Sequence, residues 1–487
     1  MNLKPYPEYK DSDVPWLGDV PRHWEIRRIR NVTNLIVSNV DKHSFENENI
    51  VCLCNYTDVY KNEKITNKIK FMKATASEEE INKFKLRIND VIITKDSESW
   101  NDIGVPALVL YENQDFICGY HLAILRPQEQ LSGQYLFRLL QDKNISAQFH
   151  IIANGVTRYG MSQNSIKDVK VLLPFLSEQT TIARFLDYKT AQIARFIKAK
   201  KRMIELLKEQ KQVIINDAVT GKIVIKDEGG RLKAEKRPDS SFIPHPSSFL
   251  QTVPEGWEVK RIKSISHIRY GLGQPPKEKE DGLPLIRATN VDHGKIVVKD
   301  LLRIDINDVP ASRDAVLREG EIIVVRSGAY TADSAIIPKE FTGSVAGYDM
   351  VMTVFKAMPE YVALALLSKY LRDDQLIQAS MRAAQPHLNK EELGSSFIIL
   401  PQNQEQETIV LVTEKKLNAL DFTISRTERE ISLMQEYRTR LVSDVVTGKI
   451  DVRDIEIPDI ADIDDTIDES IDEPEGEEEL ETAEAEE

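Results

Sequence analysis

The sequence predicts an α+β protein in which two homologous halves, related by a pseudo-twofold axis, are separated by two long antiparallel coiled-coil helices. Three observations carry this reading. The chain repeats itself over more than 200 residues, each copy contains a long Gly- and Pro-free stretch of helical period, and each such stretch is preceded by short β-branched runs bounded by turns.

The repeat is visible first in "DAVTGKI", ending at Ile223, and "DVVTGKI", ending at Ile450, an offset of 227. At the same offset "LLPFLSEQTTI" (Leu172 to Ile182) matches "ILPQNQEQETI". Further upstream, "ICGYHLAIL" from Ile117 matches "VAGYDMVMT" from Val345 at 228, and "VPRHWEIRRI" (Val20 to Ile29) matches "VPEGWEVKRI" (Val253 to Ile262) at 233. So slow a drift means one duplication with small loop insertions. Solenoid units repeat at roughly 20 to 50 residues because each is a single supersecondary element; these units are large enough to own a core. Two fused copies of one domain tend to pack as a homodimer would, about a twofold.

In chain order, residues 1–176 carry strand signals at "KLRINDVIITKD" and "DFICGYHLAIL" and a short Leu-rich helix at "GQYLFRLLQD". Residues 177–225 follow as the first long helix: 177–219 contain neither Gly nor Pro, and Gly221 is suited to a left-handed cap. Its seam, spaced alternately three and four, runs Ala183, Leu186, Thr190, Ile193, Ile197, Lys200, Ile204, Leu207, Lys211, Ile214, Ala218. Residues 226–250 are polar, hold Gly and Pro, and read as a mobile linker. The second half, 251–403, repeats the strands in "VLREGEIIVVRSG" and "GSVAGYDMVMTVF" and the short helix in "PEYVALALLSKYL". Its long helix, 404–450, has the seam Val410, Thr413, Leu417, Leu420, Ile424, Thr427, Ile431, Met434, Arg438, Leu441, Val445 and stops at Gly448. In each seam eight of eleven positions are apolar, the pattern of a coiled coil. Helices of roughly 60 Å need a partner along their whole side. A twofold lets them pair fully only when antiparallel, with Lys200 and Thr427, the seam midpoints, forming a polar layer that fixes register.

The tail, 451–487, sets the net charge. From Asp451 onward nineteen acidic residues face the single Arg453, so the formal charge of −14 leaves residues 1–450 at +4. With almost no aromatics it is expected to be disordered. Positive charge concentrates in 177–250, most densely in "RFIKAKKRMIELLKEQK", with seven basic residues against two acidic. No run approaches the ~18 apolar residues of a membrane span, and the expectation is a soluble, cytoplasmic protein that binds no membrane. Three cysteines, Cys52, Cys54 and Cys118, form neither a disulfide framework nor a metal set. Cys52 and Cys54 fall on one face of a strand, where packing is the simpler role and the compartment reducing.

Catalytic signatures are missing. "TGKI" lacks the first glycine of a phosphate loop, and "YGLG" (Tyr270 to Gly273) is a lone GxG best read as a turn. The eight histidines do not cluster at metal spacing, so no metal site is expected. There is no Asn-Pro-Pro-aromatic or Asp-Pro-Pro-Tyr tetrapeptide for holding a flipped base and no Gly-x-Ser-x-Gly elbow. A recognition protein without catalytic or cofactor-binding residues of its own is the expectation. A coiled-coil scaffold binding protein or carbohydrate rather than DNA is the alternative, and a self-contained methyltransferase or nuclease a third.

The opening "YPEYKDSDVPWLGDVPRHWEIRRI", the paired "LLPFLSEQTTI" and "ILPQNQEQETI" entering long helices, and the paired exits "AVTGKI" and "VVTGKI" resemble the specificity subunit of type I restriction-modification systems, over residues 1 to about 453. The acidic tail is outside that pattern. The resemblance implies two target recognition domains, 1–176 and 251–403, each reading half of a bipartite site on double-stranded DNA, with the helices as a ruler. It also implies two modification subunits carrying S-adenosylmethionine, docked on the outward helix faces, and two restriction subunits using ATP and Mg. On that reading the subunit is not an enzyme.

Base edges are read by Arg, Lys, Asn, Gln and Ser/Thr, and phosphates by Lys and Arg. In the first half, loops "TKDSESWND" and "NGVTRYGMSQNS" offer Lys95, Trp100, Asn101, Arg158, Tyr159, Gln163 and Asn164. In the second, "RSGAYTADS" and "RAAQPHLNK" offer Arg326, Ser327, Tyr330, Gln385, His387 and Asn389. "GLGQPPK" and "RATNVDHGK" add Gln274, Lys277 and Asn290. Arg158, Tyr159, Arg326 and Tyr330 are the first choices, and Arg326→Ala is expected to weaken specific binding by about 1 to 3 kcal/mol if Arg326 meets a guanine. Lys198, Lys201 and Arg202, off the seam, are candidates for phosphate or partner contact.

Overall fold

The computed structural model describes residues 4–227, 232–245, 252–274, 276–381 and 386–458. Gln385 and most of the acidic tail lie outside the described residues. The chain divides into two compact units, Met1–Lys198 with Ile431–Glu487, and Ala199–Glu430. This grouping cuts across the sequence division into two repeated domains and a pair of long helices. Each long helix, Leu176–Val219 and Asn403–Val446, is 44 residues and contributes one part to each unit, because its apolar seam is covered by that unit's own core.

In the first unit five strands pair in the order Thr33–Val37, Leu122–Pro127, Val91–Thr94, Pro106–Val109, Lys64–Ile65. All pairings are antiparallel except the last. A second sheet orders Phe116–Cys118, Asn49–Cys54, Met72–Ala76. The strand "VIIT" is buried at all four positions, as a central strand covered on both faces must be. Cys54 and Cys118 sit opposite each other on parallel neighbours, and burial pushes both thiols up, consistent with packing. The short helix Gly133–Leu140 buries Tyr135, Leu136, Phe137, Leu139 and Leu140 in a core that also takes Ile182, Phe185 and Leu186 from the first long helix and Leu441, Val442, Val445 and Val446 from the second.

The second unit repeats this plan. Ser266–Tyr270, Met350–Val354, Ile322–Val324 and Ser334–Ile336 form the four-stranded sheet, and Leu302–Ile304, Glu278–Ile286 and Val345–Ala346 the three-stranded one. The counterpart of the fifth strand, Lys64–Ile65, is reduced to a parallel bridge from Gly294 to Ala335, just before the short strand Lys295–Ile296. Here the helix pairing is explicit. Lys200 bonds Glu430 at 2.8 Å, Lys211 pairs with Asp421, and Ile215 and Ala218 share a core with Ile409 and Val410. Rising numbers on one helix meet falling numbers on the other, so within this unit the helices are antiparallel. The expected midpoint layer takes a different form. Thr427 is buried, but its hydroxyl donates to the Thr423 carbonyl at 2.8 Å, while Lys200 reaches Glu430, one turn further along.

The described residues of the expected linker, 226–250, are largely in strands. Ile223–Asp227 and Leu232–Lys236 make an antiparallel hairpin, and Phe242–Pro244 pairs with Thr252–Pro254, just as Tyr9–Asp11 pairs with Asp19–Pro21 in the first unit. Polar composition hid strands whose outer faces meet water.

The repeated motifs explain themselves by touching one another. Each long helix ends with paired backbone bonds around a left-handed glycine: Gly221 (φ +71) donates to Ala218 and Lys222 to Asp217, and Gly448 (φ +78) donates to Val445 and Lys449 to Asp444, the arrangement that satisfies orphan carbonyls at a helix end. A Cβ on Gly221 would fall 2.3 Å from Pro254 and 3.1 Å from Trp257; one on Gly448 would fall 2.4 Å from Pro21 and 3.2 Å from Trp24. The exit turn of each repeat is therefore seated on the Val-Pro-x-x-Trp element of the other. The indole of Trp24 donates to Glu178 (3.0 Å) and that of Trp257 to Glu405 (3.1 Å). The next residue, Gln179 or Gln406, donates back to Pro174 (2.9 Å) or Pro401 (2.8 Å) and accepts from the backbone N–H of Ser132 or Met358. These bonds tie each helix start to the indole element and to the turn before the short helix of its own unit.

Candidate nucleic-acid interface

Both units present a loop cluster at the end of their central strand. In the first unit the chain leaves Val91–Thr94 and pairs Asp96–Ser97 with Tyr159–Gly160, so the two loops chosen from sequence are joined. Lys95 pairs with Asp96, whose carboxylate also bonds Nδ1 of His121 at 3.1 Å. A Cβ at Gly160 would stand 2.7 Å from that carboxylate, so a larger residue there would displace the Asp96 side chain. Trp100 is exposed, with its ring 5.6 Å from His150 in an edge contact. Tyr56 and Tyr60 stack at 5.8 Å; Tyr60 donates to Asp102 at 3.3 Å and the Tyr56 hydroxyl meets that of Ser97 at 3.0 Å. Asn101, Arg158, Gln163 and Asn164 are exposed and Tyr159 half-buried around this cluster. The result is an aromatic, mixed-charge surface rather than a basic groove.

In the second unit Ser327 bridges His387 and the Leu388 N–H donates to the Arg326 carbonyl at 2.7 Å, again uniting two sequence-chosen loops. The Arg326 guanidinium lies 4.5 Å from the ring of Tyr270 and 4.3 Å from that of Tyr348, and its Nη2 donates to Nε2 of His387 at 2.8 Å. Its backbone N–H donates to Asp349 at 3.2 Å. Burial raises the Asp349 carboxyl to about 6 against the pull of that N–H and of the Arg326 charge. Tyr330 and Tyr348 are exposed, and Gln274 and Lys277 are exposed on the chain leaving Tyr270.

Three of the candidates need correction. Asn290 is fully buried, its amide donating to Val297 and Lys299 carbonyls and its oxygen accepting from Arg287; it ties down a loop and has nothing left for DNA. Asn389 is a helix cap, accepting from Glu392 N–H at 2.9 Å. Lys95 is held on Asp96 and only 15% exposed. Lys198, Lys201 and Arg202 are exposed along the first long helix, outside the loop clusters, with Arg202 paired to Glu205 at 3.0 Å. Sequence reading missed Tyr56, Tyr60, Tyr120, His121, Tyr270, Tyr348 and Asp349. The repeated "GYH" and "GYD" were the available signal, since they place Tyr120 and His121, and Tyr348 and Asp349, at one structural position.

Among the described residues no helix is long and apolar enough to cross a membrane, and no three His, Cys, Asp or Glu side chains are grouped as a metal ion requires.

Comparison with known proteins adds a family. The pattern described as the type I restriction modification DNA specificity domain matches residues 21–212 and 254–431. The chain is 26% identical over 273 residues to the type I restriction enzyme EcoBI specificity subunit of Escherichia coli, a match covering about half (54%) of each chain. It is 21% identical over 452 residues to a putative type I restriction enzyme MjaX specificity subunit of Methanocaldococcus jannaschii, covering 90% of this chain and 96% of that one. Among solved structures, a chain from work on assembly and conformational transition of the type I R-M system shares the fold with a TM-score of 0.62 at 15% identity, covering 88% of this chain and 99% of the other.

Proposed function

The chain belongs to the type I restriction-modification DNA specificity family, and from that premise we propose that it is the sequence-recognition subunit of such a complex, each unit reading one half of a bipartite target on double-stranded DNA. Specificity subunits are non-catalytic; S-adenosylmethionine, ATP and Mg are assigned to two modification and two restriction subunits, for which the exposed Lys198, Lys201 and Arg202 are candidate contacts. The observation that carries the reading is that two units of like architecture present loop clusters of unlike chemistry. A shared framework with different readers is what a target of two dissimilar halves demands.

Recognition residues proposed in the first unit are Trp100, Asn101, Arg158, Tyr159, Gln163 and Asn164, and in the second Gln274, Lys277, Arg326, Ser327, Tyr330 and His387. Residues 1–450 carry only +4, whereas tight DNA binding draws on many phosphate contacts. Basic surface from the modification subunits therefore supplies much of the affinity and this chain the selectivity. The test is a selection from randomised duplexes with the chain alone and with its modification subunits. Enrichment of one split sequence only in the complex supports the reading. Enrichment of none, with or without the partners, favours a scaffold that does not read DNA.

A further inference from the structure

Resting on that recognition role, we propose that Arg326 reads a guanine through the major groove, and that this reading is confined to the second unit. The positional argument comes from equivalent hydrogen bonds. Arg87 and Arg318 each donate a backbone N–H to the carboxylate three residues on, Asp90 and Glu321, and Met161 and Leu388, each one residue before a helix cap, donate to the carbonyls of Lys95 and Arg326. Lys95 and Arg326 therefore occupy the same place at the mouth of the sheet. The duplication has put two different cations there.

Arg326 is built as a rigid donor. Stacking on Tyr270 and Tyr348 fixes the guanidinium plane. Tyr270 is itself held, its hydroxyl accepting from the Lys390 N–H at 3.0 Å. Because Nη2 can only donate, Nε2 of His387 accepts, which puts the imidazole proton on Nδ1. Nε is buried without a partner. That leaves Nη1 and the second hydrogen of Nη2, an end-on fork of the spacing that matches O6 and N7 of guanine. The stacked plane removes most of the rotamer freedom an arginine otherwise loses on binding. In the first unit Lys95 stands at that place, a lysine without a planar fork and already paired with Asp96, so no fork exists there.

The test uses the full chain assembled with its modification subunits. Methylation of a randomised duplex pool first yields the target; then each guanine is replaced singly by 7-deazaguanine, which lacks the N7 acceptor and leaves every phosphate intact. Wild type, Arg326→Lys and Arg326→Ala are compared on this set. One guanine is expected whose replacement slows wild type by about 5- to 150-fold and leaves Arg326→Ala, already slowed on the parent duplex, unaffected. Arg326→Lys keeps the charge without the fork and should lose most of the same sensitivity. A wild type indifferent to every replacement overturns the assignment, as does an alanine variant equally slowed on all duplexes with the wild-type sensitivities intact, which would make Arg326 a phosphate contact. If Arg326→Ala fails to assemble, the wild-type and lysine responses decide. A pool that yields no target with wild type would instead sink the recognition role itself.

Discussion

Glu178 is buried and accepts from Tyr6 (2.7 Å), Trp24 (3.0 Å) and His23 (2.8 Å). Glu178→Ala strands two buried donors and should lower stability by about 1 to 3 kcal/mol, read as a fall in Tm by calorimetry; an unchanged Tm would mean water replaces the carboxylate without loss. Asp349 gives a pH signature. Its folded value of about 6 lies above the ordinary 3.8, so between those values the native state holds the proton more tightly than the unfolded chain. Stability relative to Asp349→Asn should therefore rise as pH falls from about 6 towards 4, by up to about 3 kcal/mol, and parallel unfolding curves across that window would refute it. At this scale the sequence was half legible. Loops rich in arginine, asparagine and aromatics do come together in the structure, but an amide's partners are set by distant carbonyls. Asn290 and Arg326 look alike as candidates until one proves spent and the other poised.

Among elements, the long helices were the most readable: every seam position on both is buried or half-buried, because a sustained 3.5-residue period leaves few other structures. Their ends, Val219 and Val446, fall just before the glycines that stop them. Gly448→Ala should be markedly destabilising, with about 1 to 2 kcal/mol from the left-handed backbone alone and more from the overlap with Pro21. An exposed glycine with similar φ and open space, such as Gly18, provides the control; equal Tm losses at the two positions would remove the packing argument. The hairpin at 223–236 was misread because its strands, with one face in water, have the composition of a linker.

For the molecule as a whole, the second unit is one continuous segment and the first is two. Residues 199–430 expressed alone should fold with a single cooperative transition. Residues 1–198 alone should not, since they lack Leu441, Val442, Val445, Val446 and the Gly448 turn; adding 431–458 in trans should restore a sigmoidal melt. Circular dichroism of the three samples checks this, and a cooperatively folded 1–198 would contradict the assignment of the core. The sequence revealed the duplication but not this interleaving, which depends on which core each seam residue joins.

The interlocking of exit turn and Val-Pro-x-x-Trp element has a further consequence for how such a chain can change over generations. A glycine in one repeat is answered by a proline and an indole in the other, so drift at either site has to be matched across the duplication, whereas the loops that hold Lys95 and Arg326 answer to no sister residue. Divergence is thereby channelled: the joints stay twinned while the readers go their separate ways.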